Sequence, residues 1–455
     1  MKRTLVVFLL LSLPVVGAHA EGGTEPTQTE MTLDQAVSYA LEHSPGLEAA
    51  KTEIVRREGA AITARSGLLP QIDVFGDVNH TGYDHAYPPA TSPQLIRFDD
   101  TIYTAGAELK VLVWDFGQTA NELAAARERI LSAESLQDRR KQEVIYTVAS
   151  LYLKSLTYAD LIDAAESTRK SLQVLLQQTK ELADAGRSVP ADVLKVSTRL
   201  AQVESDLATL EAGRRISVSE LAAAMGFEEA LPQLMFAPPR EATSVGLMGS
   251  EVDLVREAIA HRPDLASQKH EIQAASDRET AARRSQWPRT ELRAGAYEYA
   301  ATDPTSSMGS QGPQPNDAAG DWAVGARITF PLFDAGKRRG QIRSAAAEAE
   351  LARAAERKLR LDTEKEVRSA LAELESAENR VQATQQSVAQ AEEVLRNERL
   401  KYEAGRSVVN FVLDAEAALL TNQSLLRQAQ RSVSIDRLVL DLSLGRISPA
   451  CVSSP

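Results

Sequence analysis

Cysteine is nearly missing from this chain of 455 residues: the only one, Cys451, is fifth from the end and can close no internal disulfide. Long apolar runs are just as scarce. Beyond a short N-terminal one, no stretch reaches the roughly 20 apolar residues that a membrane helix needs. A phosphate-binding P-loop is absent too, since Gly336-Lys337 is followed by Arg338 and no glycine precedes it at the required spacing. His43 and His261 sit before prolines, His80 and His85 lie by a loop, and His19 is near the N-terminus, so no metal-ligand spacing arises. Ser, Asp and Glu abound in helix-like segments, but none is set on a strand-to-helix elbow. The sequence therefore gives no catalytic set, no cofactor site and no metal site, and any energy must come from elsewhere. A net charge of -12 with mixed signs, and no basic run interleaved with aromatics, argues against nucleic acid as a partner.

What is present begins with an export signal. Lys2 and Arg3 precede an apolar run from Leu5 to Val16 and then Ala18-His19-Ala20, so residues 1–20 read as a signal peptide. No cysteine follows the expected cleavage site, which leaves no acceptor for a lipid anchor. The rest says the same thing twice. Ala185-Gly186-Arg187-Ser188-Val189 returns 219 residues later as Ala404-Gly405-Arg406-Ser407-Val408. Trp114-Asp115-Phe116-Gly117 aligns likewise with Phe333-Asp334-Ala335-Gly336, and Met225-Gly226 with Leu444-Gly445. A unit of roughly 200 residues is too long for a solenoid repeat, so the chain is read as a duplicated domain. The expected division is a first repeat over 21–226, a linker over 227–251, a second repeat over 252–445 and a tail over 446–455.

Within each copy, a glycine- and proline-poor segment rich in Ala, Leu, Glu, Arg and Gln predicts one very long helix, over about 118–185 and about 337–404. Val367, Leu374, Val381, Val388 and Leu395 recur every seven residues, which is a seam for packing along other helices. Each long helix should stop at a glycine, Gly186 or Gly405, and a helix half as long should return, over about 191–224 and 410–444. Shorter helices, 47–68 and 265–287, would cover the rest of the long one.

Alternation with period two predicts strands over about 71–82, 101–114, 289–299 and 321–333, with polar loops Tyr83 to Asp100 and Ala301 to Gly320 between them. Each strand has an apolar face and a polar one. That pattern fits a membrane barrel, whose outside meets lipid and inside meets water, and also the face of a soluble sandwich. Four strands are too few to close a barrel and cannot leave open edges in lipid, so several chains must contribute to one barrel. Two, three or four copies would satisfy closure. The fold class expected is mainly α with transmembrane β, and Asp73, Asp77, Glu108, Lys110 and Arg327 fall on the face that would line the lumen.

Leu33-Asp34-Gln35-Ala36-Val37, the Pro331-Leu332-Phe333-Asp334-Ala335-Gly336 turn and the two Ala-Gly-Arg-Ser tips resemble the TolC-like outer membrane efflux protein family, from about Met31 to Gly445. The resemblance implies a homotrimer with a twelve-stranded β-barrel in the outer membrane and an α-helical barrel across the periplasm. It also implies the function: a passive exit duct for an inner-membrane pump of the RND or ABC type, joined through a periplasmic adapter protein. The tips Gly186, Arg187, Ser188, Gly405, Arg406 and Ser407 would contact that adapter. In this likeness Asp192 and Tyr402 link neighbouring helix pairs in the closed state. Asp414 supplies one acid of the constriction, and Phe411 stands where the family has a second. Phe411 would then form an apolar collar or pack into the neighbouring helix, while Arg187 and Arg406 would satisfy helix carbonyls or pair with adapter carboxylates. The cargo stays open between drug or metal efflux and type I protein secretion. The competing reading is a periplasmic coiled-coil adapter or rod without a channel.

Overall fold

A computed structural model of the chain describes residues 29–87, 94–227, 234–236, 249–301 and 319–449. The signal peptide, Cys451 and most of the stretch read as a linker lie outside the described residues.

The chain runs through one order of elements twice. The first pass is β1 (Thr29–Met31), α1 (Leu33–His43), α2 (Pro45–Ser66), β2 (Gln71–Tyr87), β3 (Gln94–Trp114), α3 (Gln118–Asp184) and α4 (Pro190–Met225). The second is β4 (Leu234–Phe236), α5 (Glu251–His261), α6 (Pro263–Arg284), β5 (Arg289–Ala301), β6 (Ala319–Thr329), α7 (Lys337–Glu403) and α8 (Val409–Leu444). Local chemistry sets the boundaries. Capping boxes start α1, where the Thr32 hydroxyl accepts from Gln35 N–H, and α5, where Ser250 accepts from Asp253 N–H. Pro45 and Pro263 push Ser44 and Arg262 into extended backbone, which separates each 11-residue helix from the next.

β2, β3, β5 and β6 form an antiparallel sheet in that order, leaving β2 and β6 as edges. The first hairpin is longer than its hydrophobic alternation indicates. Pairing continues to Tyr87 opposite Gln94, so most of Tyr83 to Asp100 is strand and not loop. The extension lacks a clean alternation, with Leu95 next to Ile96, and backbone pairing requires none. β6, in contrast, stops at Thr329 and not at 333, where Pro331 has no N–H to give a ladder. The second loop, 302–318, lies outside the described residues. A further pair was not foreseen: β1 and β4 run parallel, with β4 inside the segment read as a linker, and the Tyr152 hydroxyl donates to the Met31 carbonyl at 2.9 Å. Three-residue strands carry no periodicity to detect.

The helices pack side by side in two tiers. In the tier next to the sheet the order is α2, α3, α6, α7; in the far tier it is α4, α3, α8, α7. The 67-residue helices α3 and α7 run through both tiers, while helices of 22 and 36 residues divide the length between them. Apolar cores gather midway, around Val37, Val148, Tyr152, Leu221 and Met225 in one repeat and Leu254, Val367, Leu374 and Leu440 in the other. A third core, with Leu172, Val196, Val203, Val409 and Val412, joins both repeats near the tips.

Candidate functional site: a two-faced sheet and the helix tips

Among the described residues, nothing packs on one face of the sheet. Ile72, Val74, Val78, Val113, Leu292, Trp322, Val324 and Ile328 all project from that face into open space, Val74 at 83% and Trp322 at 80% exposure. Soluble sheets cover such a face, because leaving it in water forfeits about 25 cal/mol per Å² of apolar area.

The opposite face is charged and cross-linked. Lys110 Nζ lies 3.1 Å from Asp73 across the β2/β3 ladder and 3.2 Å from Glu108 on its own strand. Arg293 reaches Glu291 at 3.0 Å and Glu108 at 3.7 Å, and Arg289 meets Glu291 at 2.8 Å. The register puts Arg327 opposite Glu291, and Asp77 opposite Thr104 on this same face. The five residues read from the sequence as lining the lumen thus share one face, and Arg289, Glu291 and Arg293 belong to it as well.

Sheet and helices are joined by a turn that occurs twice. Asp115 accepts hydrogen bonds from Gly117 N–H at 2.9 Å, Thr119 N–H at 2.8 Å and the Thr119 hydroxyl at 2.5 Å. Asp334 does the same for Gly336 and Arg338 N–H, both at 3.1 Å, and for Arg338 Nε at 2.6 Å. The residue after each Asp, Phe116 or Ala335, has a positive φ of 58° or 51°, and the glycine after it follows at 82° or 92°. Such backbone costs a non-glycine residue roughly 1–2 kcal/mol, offset here by the carboxylate's hydrogen bonds. Burial opposes the charge on Asp115, but the hydrogen bonds from Thr119 and Gly117 outweigh it and hold the carboxyl below the usual range.

At the far end each long helix closes in a Schellman motif. Gly186, at φ 69°, donates to the Ala183 carbonyl at 2.9 Å and Arg187 N–H donates to Leu182 at 2.8 Å. Gly405 and Arg406 repeat the pattern onto Tyr402 and Lys401 at 2.9 and 2.8 Å. Main-chain amides therefore satisfy the last carbonyls. The Arg187 and Arg406 side chains are exposed and, among the described residues, have no partner, so the helix-carbonyl alternative for these guanidinium groups falls away. The serines differ: Ser188 donates to Asp192 at 3.2 Å, Ser407 to Glu398 at 3.1 Å.

The residues marked for the gate do not all meet within the chain. Asp192 is held by Ser188 and by Lys195 at 3.1 Å. Tyr402 is buried, its hydroxyl 3.2 Å from that of Thr179 on α3. Phe411 and Asp414 are exposed on α8. In the repeat alignment Phe411 matches Asp192 and Asp414 matches Lys195, so α4 carries a neutralised pair where α8 carries an aromatic ring and an acid with no ion-pair partner among the described residues.

Sequence reasoning missed three polar clusters. Glu416 on α8, buried, accepts from Ser171 of α3 at 2.7 Å and pairs with Arg399 of α7. Arg262, also buried, grips Asp264 at 2.7 Å and Glu366 on α7. Burial works against the Asp264 charge, but Arg262 and Arg139 more than compensate and lower its pKa. His270 contacts Glu128 across the α3/α6 seam at 2.8 Å. Charged residues in an amphipathic repeat look like solvated surface, and only the position of Arg262 at an inter-helix break hinted otherwise. Among the described residues no three His, Cys, Asp or Glu side chains gather as a metal site, and no helix is long and apolar enough to cross a membrane.

Known proteins fit this geometry. The family profile described as Outer membrane efflux protein matches residues 36–227 and again 254–446. The solvent efflux pump outer membrane protein SrpC of Pseudomonas putida is 24% identical over 415 residues, covering 91% of this chain and 85% of its own. The cation efflux system protein CusC of Escherichia coli K12 is 25% identical over 331 residues, 72% of this chain and 70% of its own. A solved CusC structure superposes with a TM-score of 0.77 at 21% identity, covering 94% of this chain and 95% of that one.

Proposed function

The chain belongs to the outer membrane efflux protein family and is an outer membrane export channel with a periplasmic helical extension; we propose that three copies close into the duct. The observation that carries this reading is that the protomer has the same two sides at every level. One side is β2, α2 and α4; the other is β6 and α7. Both sides present unsatisfied surface: edge strands above, and exposed Val55 and Ile62 on α2 facing away from the protomer, with Leu351 and Leu361 exposed on α7. Different surfaces on opposite sides join head to tail and close as a ring. Four strands from each of three copies give twelve, continued by rings of twelve helices.

In that ring the apolar strand face meets lipid and the charged face lines a wet lumen. Asp73, Asp77, Glu108, Lys110 and Arg327 keep the channel hydrated and are largely self-compensated, so this part of the duct passes solutes without holding them. The tips at Gly186 and Gly405 lie at the periplasmic entrance, where the exposed Arg187 and Arg406 suit acidic groups on an adapter. Phe411 and Asp414 form the constriction, an apolar collar one turn nearer the tips than a ring of carboxylates that favours cations. Transport is passive here, with energy supplied by an inner-membrane RND or ABC pump. The relatives named for solvents and cations favour small-molecule or ion efflux over protein secretion as the cargo. A rod without a channel has no use for a four-stranded sheet with a bare apolar face.

The decisive experiment pairs the detergent mass of the purified mature protein with its conductance in a planar bilayer. A trimer with small, cation-selective, mostly closed currents is expected. A monomer or dimer without conductance would return the chain to the rod.

A further inference from the structure

Four chain crossings join the sheet to the helices at one level: α2 to β2, β3 to α3, α6 to β5 and β6 to α7. Aromatic rings collect there. Phe116 stacks on Trp287 at 5.1 Å and meets Trp114 edge-on at 5.8 Å, yet Trp114 and Trp287 remain 59% and 57% exposed. Immediately below, α7 opens with Lys337, Arg338 and Arg339, followed by Arg343, and has no acid in its first turn. Cations at a helix N-terminus oppose the helix dipole and cost stability there. Nor does the turn require them, because the matching start of α3 has Gln118, Thr119, Ala120 and Ala124. Only Arg338 is used locally, by Asp334. Lys337, Arg339 and Arg343 are exposed and have no ion-pair partner among the described residues, in a chain whose net charge is -12.

We propose that Lys337, Arg339 and Arg343, with the Trp114, Phe116 and Trp287 rings, form a binding surface for the phosphate headgroups of anionic phospholipid in the leaflet facing the periplasm. The inference rests on the barrel reading above. The bare apolar face ends near Ile328 and Phe330, exposed aromatic rings mark the interface, and the free cations follow one to three turns later. Arg343 is six residues past Lys337, about 9 Å along the helix. The polar headgroup region is roughly 5–8 Å deep on each side. Lys337 and Arg339 thus fall within it, and Arg343 reaches its outer limit. Arginine forks match phosphate oxygens, and each cation close to an anionic surface raises lipid affinity on the order of five-fold.

The chain contains three tryptophans, Trp114, Trp287 and Trp322, so the test can be read from their emission. Full-length mature protein is reconstituted in vesicles containing brominated phosphatidylglycerol or brominated phosphatidylcholine, and quenching is compared with that of K337Q/R339Q/R343Q. Arg338 is left alone to keep the turn, and trimer mass checks assembly. The wild type is expected to prefer phosphatidylglycerol several-fold. The triple variant should show a ratio near one, as should the wild type in about 1 M salt, where screening acts within roughly 3 Å. Equal quenching by both lipids in the wild type, or an unchanged preference in the variant, overturns the proposal. Failure of the barrel itself looks different: Trp322, on the bare strand face, would then be quenched by neither lipid.

Discussion

Removing either partner of the Arg399 and Glu416 pair should weaken the tip end of the helical tier, but by unequal amounts. Glu416 is 3% exposed and lies between α3, α7 and α8, whereas the Arg399 side chain is 43% exposed. Arg399→Ala leaves a buried carboxylate with the Ser171 hydroxyl as its remaining donor. Losing a partner from a fully buried pair costs about 3–5 kcal/mol; with water already reaching Arg399, about 2 kcal/mol is the sounder expectation. Glu416→Ala instead frees a guanidinium that turns into solvent, so its cost is the lost hydrogen bonds and a small void, about 1 kcal/mol.

Amide hydrogen exchange over Val412 to Leu420 reads this locally, without requiring the whole assembly to unfold reversibly. Arg399→Ala should speed exchange there roughly thirty-fold and Glu416→Ala roughly five-fold, while amides around Val148 stay unchanged. The double variant should resemble Glu416→Ala, because without the buried acid the arginine has no special role. If Glu416→Ala proves the more damaging single change, or neither change moves exchange, then burial does not govern this pair and the reasoning fails.

Other perturbations probe the remaining parts. Phe411→Ala with Asp414→Ala should raise single-channel conductance, and Asp414→Asn alone should lower cation over anion selectivity; unchanged currents would misplace the constriction. Tyr402→Phe removes the hydroxyl facing Thr179, worth about 1 kcal/mol, and should make cells leakier to large antibiotics without loss of the protein from the outer membrane. Asp115→Asn should cost about 1 kcal/mol at neutral pH through the lost cap, measured as an earlier thermal inactivation of the detergent-solubilised protein. The sign of its pH dependence follows from a folded pKa held below the unfolded one. That stabilisation is complete above about pH 4 and disappears as pH falls through the folded value, so the Asn variant should lack this part of the acid-side loss.

The sequence made the helices legible because their signals are local and strong: seven-residue spacing, glycine stops and prolines before short helices. The strands were legible only where one face is apolar. Between Tyr83 and Tyr87 and around Leu95 and Ile96 the period-two pattern breaks though the ladder does not, and Pro331 marks a strand end that alternation alone does not show. The charged sheet face could be read because alternation alone assigns it. Tip chemistry could not, since the partners of Glu416 lie 17 and 245 residues away in sequence and no periodicity links them. Likewise nothing in the pattern around His270 points to Glu128, which depends on the crossing of α3 and α6.

The two repeats agree in every helix length, 11, 22, 67 and 36 residues, and disagree at the positions proposed for the gate and the basic collar. Equal lengths are what the proposed ring would demand: alternating helices from both repeats must reach the membrane level and the tip level together, or polar helix ends would be stranded against apolar neighbours. Side chains face no such demand. Asp192 and Lys195 neutralise each other where Phe411 and Asp414 do not, Ser197 stands where Glu416 is buried, and Gln118 stands where Lys337 opens α7. In each departure the second repeat carries a feature the first lacks: an exposed ring beside an exposed acid, the buried Glu416, and the basic start of α7. Duplication thus supplied a symmetric wall, and divergence of one copy furnished the inter-repeat link and the residues of the proposed gate and basic collar, each present once per protomer and three times around the proposed duct.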